Sequence, residues 1–456
     1  MFRAALFYLE KNWITIQDRK PLVVRGARQV GKTWLIREFA KITEKQLIEI
    51  NFERDPQVRS LFSSNHPNVI LQNLEVYLGK KIDSKASLLF LDEIQDAPEI
   101  FAKLRWFYED LPELPVVAAG SLLEFILSDH TMSMPVGRIT YLHLEPLSFE
   151  EFLQAQSMDT LLTYIQELTL PFIIPAAIHN CLQDAFKQYL QIGGMPAVVS
   201  SWTKDASLDS IATIQQDLLA TYRDDFFKYK GLIDVYKLDT ILKAIPAQLG
   251  KKFVYSKADP SIQAPTARQI LSLFNKARLC HVVKSSAGNS AALATEVKDK
   301  AFKQLFLDVG LANRFLGYNF LPTNLTIGGD IAEQVVGQML RYLLPFYMEP
   351  TLYYWHREEK GSSAEIDYLI AHEQRVIPIE VKSGSTGSLK SLHLFMKAKK
   401  LSLAIRINND LPSITPVKIK NPDHTETAYS LLSIPFYLTG QIYRILGNPS
   451  IIRGNF

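Results

Sequence analysis

Cysteine is almost absent: Cys181 and Cys280 are the two in 456 residues, and they lie far apart in the chain. Their scarcity excludes a disulfide framework and a cysteine-built metal site, and it predicts two buried core thiols in a reducing compartment. Charge of one sign is not in excess either, with 50 Lys and Arg against 47 Asp and Glu. A formal net charge of +3 neither demands nor excludes a nucleic-acid partner, so any electrostatic footprint has to be local. No apolar run has the length of a membrane helix. The most apolar segment, Leu168 to Cys181, is broken by Pro171 and Pro175. The first residues carry Glu10, Lys11 and Asp18 after a short apolar run and show no small-residue cleavage pattern, so no signal peptide is expected. Low-complexity tracts and short repeats are missing as well. Together these absences predict a cytoplasmic protein with no membrane partner.

What remains is 47% hydrophobic and 21% charged, the balance of a globular chain able to bury a sizeable core. Its length predicts two or three domains. The clearest signal is an apolar strand-like run, Leu22-Val23-Val24, that leads into Gly26-Ala27-Arg28-Gln29-Val30-Gly31-Lys32-Thr33-Trp34. Helical spacing of Leu35, Ile36, Phe39 and Ala40 follows. This is a P-loop between a strand and a helix. The glycines free the backbone so that N–H groups curl around phosphate oxygens at the positive end of a helix. Lys32 is expected to reach the β- and γ-phosphates of ATP, and Thr33 to hold Mg²⁺ through its hydroxyl.

Downstream, Leu88-Leu89-Phe90-Leu91 ends in Asp92-Glu93, as a buried parallel strand does when it delivers acids to the carboxyl edge of a sheet. Asp92 is expected to orient Mg²⁺ or its water ligands, and Glu93 to activate the attacking water of an ATPase. Two readings stand for Ser121, at the end of the strand Pro115 to Ala119: a γ-phosphate sensor, or a helix N-cap. Two also stand for Arg138, before the strand-like Ile139 to Leu144. It either neutralises phosphate charge, in cis or in trans within a homo-oligomer, or is a surface arginine.

Arg25 to Thr33, Leu88 to Gln95, Gly120-Ser121, Gly137-Arg138 and Leu147-Ser148-Phe149 together resemble the bacterial and archaeal predicted ATPases of the AAA superfamily. Tyr189 to Pro196, Tyr222-Arg223-Asp224-Asp225 and Leu307 to Leu311 extend the resemblance over most of the chain. It implies an AAA-type ATPase joined to a C-terminal domain of unknown function. It also implies that the mostly helical stretch after Glu150 is a lid.

Farther on, two helical patterns, around Leu238 to Ile245 and from Thr266 to Phe274, precede a strand-like Leu279 to Val283. That outline is a winged helix, with Arg268, Lys276 and Arg278 either contacting phosphate or forming a solvated face. Asp330 to Leu344 then reads as an amphipathic helix carrying Glu333. Glu365 to Ile370 and Val376 to Lys382 read as a hairpin. Period-two spacing puts Glu380 and Lys382 on one face, with Ile379 and Val381 toward the core. Asp367, Glu380 and Lys382 with an upstream Glu333 form the pattern of the PD-(D/E)xK, or restriction-endonuclease-like, superfamily, although Ile366 stands where a proline is usual. In that reading Glu333, Asp367 and Glu380 hold Mg²⁺ and Lys382 assists the nucleophile. A cross-strand salt-bridge set is the alternative.

The expected architecture is multidomain α/β: an AAA-type P-loop core over 1–149, a helical lid over 150–221, a winged-helix domain over 222–300 and a nuclease-like domain over 301–456. Two functions fit it. One is an ATPase acting on or binding DNA or RNA, its nuclease activity left open. The other is a nucleotide-dependent switch for a protein partner, with an inactive nuclease-like docking domain.

Overall fold

In the first strands almost every residue is apolar and almost every side chain is buried. β1 (Leu22–Arg25), β3 (Ser87–Asp92) and β4 (Val116–Ala119) have interiors with no solvent-facing side, as strands covered on both faces require. They join β2 (Gln46–Asn51) and β5 (Thr140–His143) in a sheet of order β2-β3-β4-β1-β5, every pairing parallel. A computed structural model describes residues 3–121, 123, 135–169, 172–227, 234–318, 328–359, 362–384, 388–420 and 424–448. The tail from 449 to 456, expected to complete the last domain, lies outside the described residues.

Two compact units emerge. The first is Met1–Pro146 with two returning pieces, Lys276–Leu279 and Leu344–Glu349. The second holds Leu147–Asn275, Cys280–Leu343 and Pro350–Phe456. Within the first unit, Arg278 is buried, with its guanidinium 3.4 Å from Glu349 and 3.9 Å from Glu145. The phosphate-contact reading of Arg278 is thereby corrected, because its charge is spent inside the unit.

The second unit is built on an eight-stranded mixed sheet of order β12-β13-β11-β10-β9-β8-β6-β7. Its strands are β6 (Cys280–Ser286), β7 (Val297–Phe306), β8 (Leu352–Glu359), β9 (Ser362–His372), β10 (Arg375–Val381), β11 (Leu403–Asn408), β12 (Ser413–Lys420) and β13 (Glu426–Pro435). The helices Val235–Ala247 and Ala264–Lys276 precede the β6–β7 hairpin. That hairpin is continuous with the C-terminal strands through the parallel β6–β8 pairing, and β7 runs through residue 300. The β9–β10 hairpin turns at Glu373 and Gln374, both at positive φ, 45° and 62°, as a tight two-residue hairpin loop requires. β10 is buried on both faces rather than on one, because the helix Gly329–Tyr342 packs against it while Lys390–Lys399 covers its neighbour β9. Cys280 is buried, but Cys181 is exposed, contrary to the expectation of two core thiols. It lies on an outward face of the helix Ala176–Ile192. Among the described residues no helix is long and apolar enough to cross a membrane.

Several motifs in the second unit serve architecture. Ser148 and Glu151 form a reciprocal capping box on the helix Phe149–Ala155. Leu147 N–H donates to Gly194 O at 2.7 Å, and Tyr189 OH donates to Leu147 O at 2.8 Å. Asp308, fully buried, accepts from Gly194 N–H at 2.7 Å, from Leu311 N–H at 3.1 Å and from Gln338 Nε2 at 3.1 Å. Gly193 has φ 76°, and a Cβ there would lie 2.0 Å from Asp308 Oδ1, so glycine is required. Asp308→Ala strands the buried N–H groups of Gly194 and Leu311, while Gln338 Nε2 keeps the Tyr189 and Tyr342 hydroxyls at 3.2 and 3.0 Å, and the change is expected to lower the stability of this unit by roughly 3 kcal/mol. Urea unfolding followed by intrinsic fluorescence measures it, and an unchanged midpoint would rule the knot out as a stabilising element.

Candidate functional sites

At the carboxyl edge of the first sheet, the chain leaves β1 at Arg25 and enters the helix Lys32–Ile42. Gln29 at φ 63° and Gly31 at φ 94° curl the loop. Gly26 is dictated by space, since a Cβ would sit 2.4 Å from Leu144 O. Ala27 and Val30 are buried beneath the loop, Arg28 and Trp34 are half-buried and Gln29 is exposed. Lys32 Nζ donates to Gly26 O at 3.0 Å and Ala27 O at 2.8 Å. Burial lowers its ammonium to about 8, against the opposing charges of Glu93 and Asp92. A phosphate in the loop supplies the counter-charge this lysine calls for.

Thr33 Oγ1 donates to Asp92 Oδ2 at 3.0 Å. Burial, and then the charge of Glu93, raises Asp92 to about 6. A hydroxyl and a carboxylate that already meet, with the carboxylate short of compensating charge, form an oxygen donor set suited to Mg²⁺. Glu93 sits just past β3 at φ 50°, and its Oε2 accepts from Gln95 Nε2 at 2.6 Å. Gln95 Oε1 is buried without a partner, and a Cβ on Gly120 would lie 2.2 Å from it. The end of β4, with the buried Ser121, therefore abuts the same group.

Lys32, Thr33, Asp92 and Glu93 thus converge. Arg138 is engaged elsewhere: its Nε lies 2.7 Å from Glu109 on the surface. The sequence reading gave no role to Asn51, whose Nδ2 reaches Asp92 Oδ2 at 3.4 Å, or to Gln95. Asn51 was recoverable, because it ends β2 in register with Asp92 at the end of β3.

The second cluster lies in the other unit. Glu333 projects from the helix Gly329–Tyr342, Asp367 from β9 and Glu380 from β10, with Lys382 just beyond that strand. Carboxylate oxygens of Glu333, Glu365 and Asp367 lie within 4.8 Å of one another. Asp367 Oδ2 accepts from Val381 N–H at 2.8 Å. Glu380 Oε1 pairs with Lys382 Nζ at 2.6 Å, while its Oε2 is buried without a partner. Burial, helped by the Asp367 charge, pushes Glu380 up to about 7.

Lys303 of β7 occupies the middle of this group. Its Nζ is 2.5 Å from Glu365, 2.8 Å from Glu333 and 3.8 Å from Asp367, and only 2% of its side chain is exposed. Burial opposes its charge, but the three acids outweigh burial and hold it protonated. The oxygen donors suit a hard divalent ion. Their shared position, however, already carries a cation from the chain itself, so the set does not fit Mg²⁺ while Lys303 remains. Sequence reasoning missed Lys303 and Glu365. Glu365 could have been found, since it shares the period-two face of Asp367. Lys303 could not, because β7 is joined to β9 only through β6 and β8.

Residues 18–153 match the family described as an AAA domain. Two domains of unknown function match residues 183–321 (DUF8612) and 328–414 (DUF4143). The first unit is an AAA-type P-loop ATPase domain, which supports nucleotide binding. Among solved structures, the Walker-type ATPase PABY2304 of Pyrococcus abyssi is 16% identical, with 68% of this chain and 94% of that one covered and a TM-score of 0.41. The Thermotoga maritima RuvB Holliday junction branch migration motor is 14% identical over 61% of this chain and 89% of its own, with a TM-score of 0.28. The Aeropyrum pernix ORC1 protein, solved in complex with DNA, is 12% identical over 69% of this chain and 91% of its own, with a TM-score of 0.27. No curated protein matches the chain.

Proposed function

We propose that the chain hydrolyses ATP at the P-loop and uses the nucleotide state as a switch, its C-terminal acid cluster holding the fold and cutting nothing. The observation that carries the first half is the convergence of Lys32, Thr33, Asp92 and Glu93 at one sheet edge. Backbone N–H groups from Gly26 to Thr33 bind the phosphates, and Lys32 turns from the loop carbonyls to the β- and γ-phosphates. Thr33 and Asp92 would hold Mg²⁺, which would supply charge stabilisation to the phosphates when bound. Glu93 accepts the proton of the attacking water, oriented by Gln95. Lys32→Ala is expected to slow turnover by roughly 10²–10³-fold. Phosphate release by the purified full chain measures it, and a variant that turns over at the parent rate removes the P-loop from the mechanism.

Lys303 favours the non-cleaving reading of the second half. A nuclease of this pattern uses a divalent ion held by its carboxylates, and here two of the three acids expected to hold it, Glu333 and Asp367, share the ammonium of Lys303 with Glu365. The output is accordingly binding to a partner, nucleic acid or protein, gated by ATP.

A further inference from the structure

Away from both acid clusters, one face of the β6–β7 hairpin and one face of the helix Ala264–Lys276 flank an open cavity of about 750 Å³. Lys284 and Phe302 are cross-strand partners, as are Val282 and Gln304, so all four line the same side of the hairpin. Opposite them stands Arg268 on the helix. Three cations, Arg268, Lys284 and Lys298, line the cavity, and among the described residues no carboxylate does. All three are solvent-accessible. At its floor Gln304 is 1% exposed, and neither its Nε2 nor its Oε1 has a partner. A buried amide with both ends unmet calls for a ligand that can both donate and accept. Two half-buried rings, Tyr255 and Phe302, complete the wall, their centroids 6.1 Å apart and their planes tilted by 58°.

We propose that this cavity binds a nucleotide, distinct from the ATP of the P-loop. The base lies against Tyr255 and Phe302, the Gln304 amide pairs with the base edge, and the phosphate meets Arg268, Lys284 and Lys298. A base edge presents a donor beside an acceptor, which is what the amide lacks. Apolar rings with neighbouring cations give the combination that holds single nucleotides and single strands. The volume is within the usual range for a small-ligand site. The site does not rest on the hydrolysis reading, because none of its residues belongs to the P-loop unit.

The source of the nucleotide, free or within a single strand, is separated by the probe. Full-length protein is titrated into fluorescein-labelled dT10 and dA10, followed by anisotropy, with dTMP, AMP and inorganic phosphate as competitors. The oligonucleotides offer no triphosphate to the P-loop. Binding is expected, and Lys284→Ala with Lys298→Ala is expected to weaken it by about tenfold or more and to flatten its salt dependence. Tyr255→Leu removes stacking while filling the wall, and a loss of about fivefold or more is expected. Gln304→Leu is expected to narrow the difference between dT10 and dA10, while ATP turnover in every variant stays at the parent level and reports an intact fold. Mononucleotides that compete as well as the oligonucleotides identify a free-nucleotide site, and a strong preference for the oligonucleotides over dTMP and AMP identifies a strand site. The proposal is overturned if neither class binds, if the variants bind like the parent, or if inorganic phosphate competes as well as dTMP and AMP.

Discussion

Glu93→Gln is expected to bind ATP as the parent does and to hydrolyse it about 10²–10⁴-fold more slowly, the contribution of a positioned general base. The exchange is nearly isosteric, so the turn at φ 50° and the packing beneath it are kept. What disappears is the carboxylate that accepts a water proton. A new amide also faces Gln95 Nε2, which now lies 2.6 Å from a carboxylate oxygen. Lys32 and the loop amides are untouched, so affinity and turnover should separate. ATP binding by calorimetry and turnover by phosphate release in one preparation make the comparison. Parent-level turnover would falsify the assignment of Glu93 as the base, and a matching loss of affinity would reassign it to ground-state binding.

Lys303→Met should be the most destabilising single change in the second unit. Methionine fills a similar volume, but it leaves Glu333, Glu365 and Asp367 facing one another without a counter-charge. Removing one partner of a buried ion pair costs about 3–5 kcal/mol, and urea unfolding at pH 7 should show a loss of that size. Burial, and then the Asp367 charge, raises the Glu333 carboxyl, and Lys303 opposes that rise, as it opposes the one that takes Glu380 to about 7, so its removal pushes both carboxyls further up. A carboxyl whose folded pKa is raised destabilises most once pH exceeds that pKa, and least below its unfolded value. The variant's deficit should therefore shrink as pH falls from about 7 toward about 4.5. Mg²⁺ or Mn²⁺ is expected to restore part of the stability of Lys303→Met and to leave the parent's melting temperature unchanged. Metal stabilisation of the parent, with Mg²⁺-dependent cleavage of DNA or RNA abolished by Glu380→Ala, would sink the non-cleaving reading.

Arg138 and Arg278 show how a residue type misleads without its neighbours. Both are arginines in places where phosphate contact is chemically reasonable. Glu109 takes the first at the surface, and Glu145 with Glu349 takes the second inside its unit. Each acid is remote from its arginine in the chain, so spacing carried no sign of either pairing. The motifs around Gly193-Gly194 and Asp308 have the same lesson in reverse. They read as family marks and proved to be a buried hydrogen-bond knot.

The P-loop unit was legible in the sequence because its information is local. Runs of three or four apolar residues make strands buried on both faces, glycines mark where the backbone must curl, and Lys32, Thr33, Asp92 and Glu93 each stand directly at a strand or helix end. Parallel strands then deliver those ends to one edge, so adjacency in sequence becomes adjacency in space. In the second unit β6 and the β9–β10 hairpin were also legible, for the same reason, while β7 and β11 to β13 were not. Only the tertiary structure decided what the acid cluster is, because its charge balance depends on β7, a strand three places from β9 in the sheet. Likewise, the cavity on one face of the β6–β7 hairpin arises from a helix laid across two strands, a juxtaposition that no local pattern encodes.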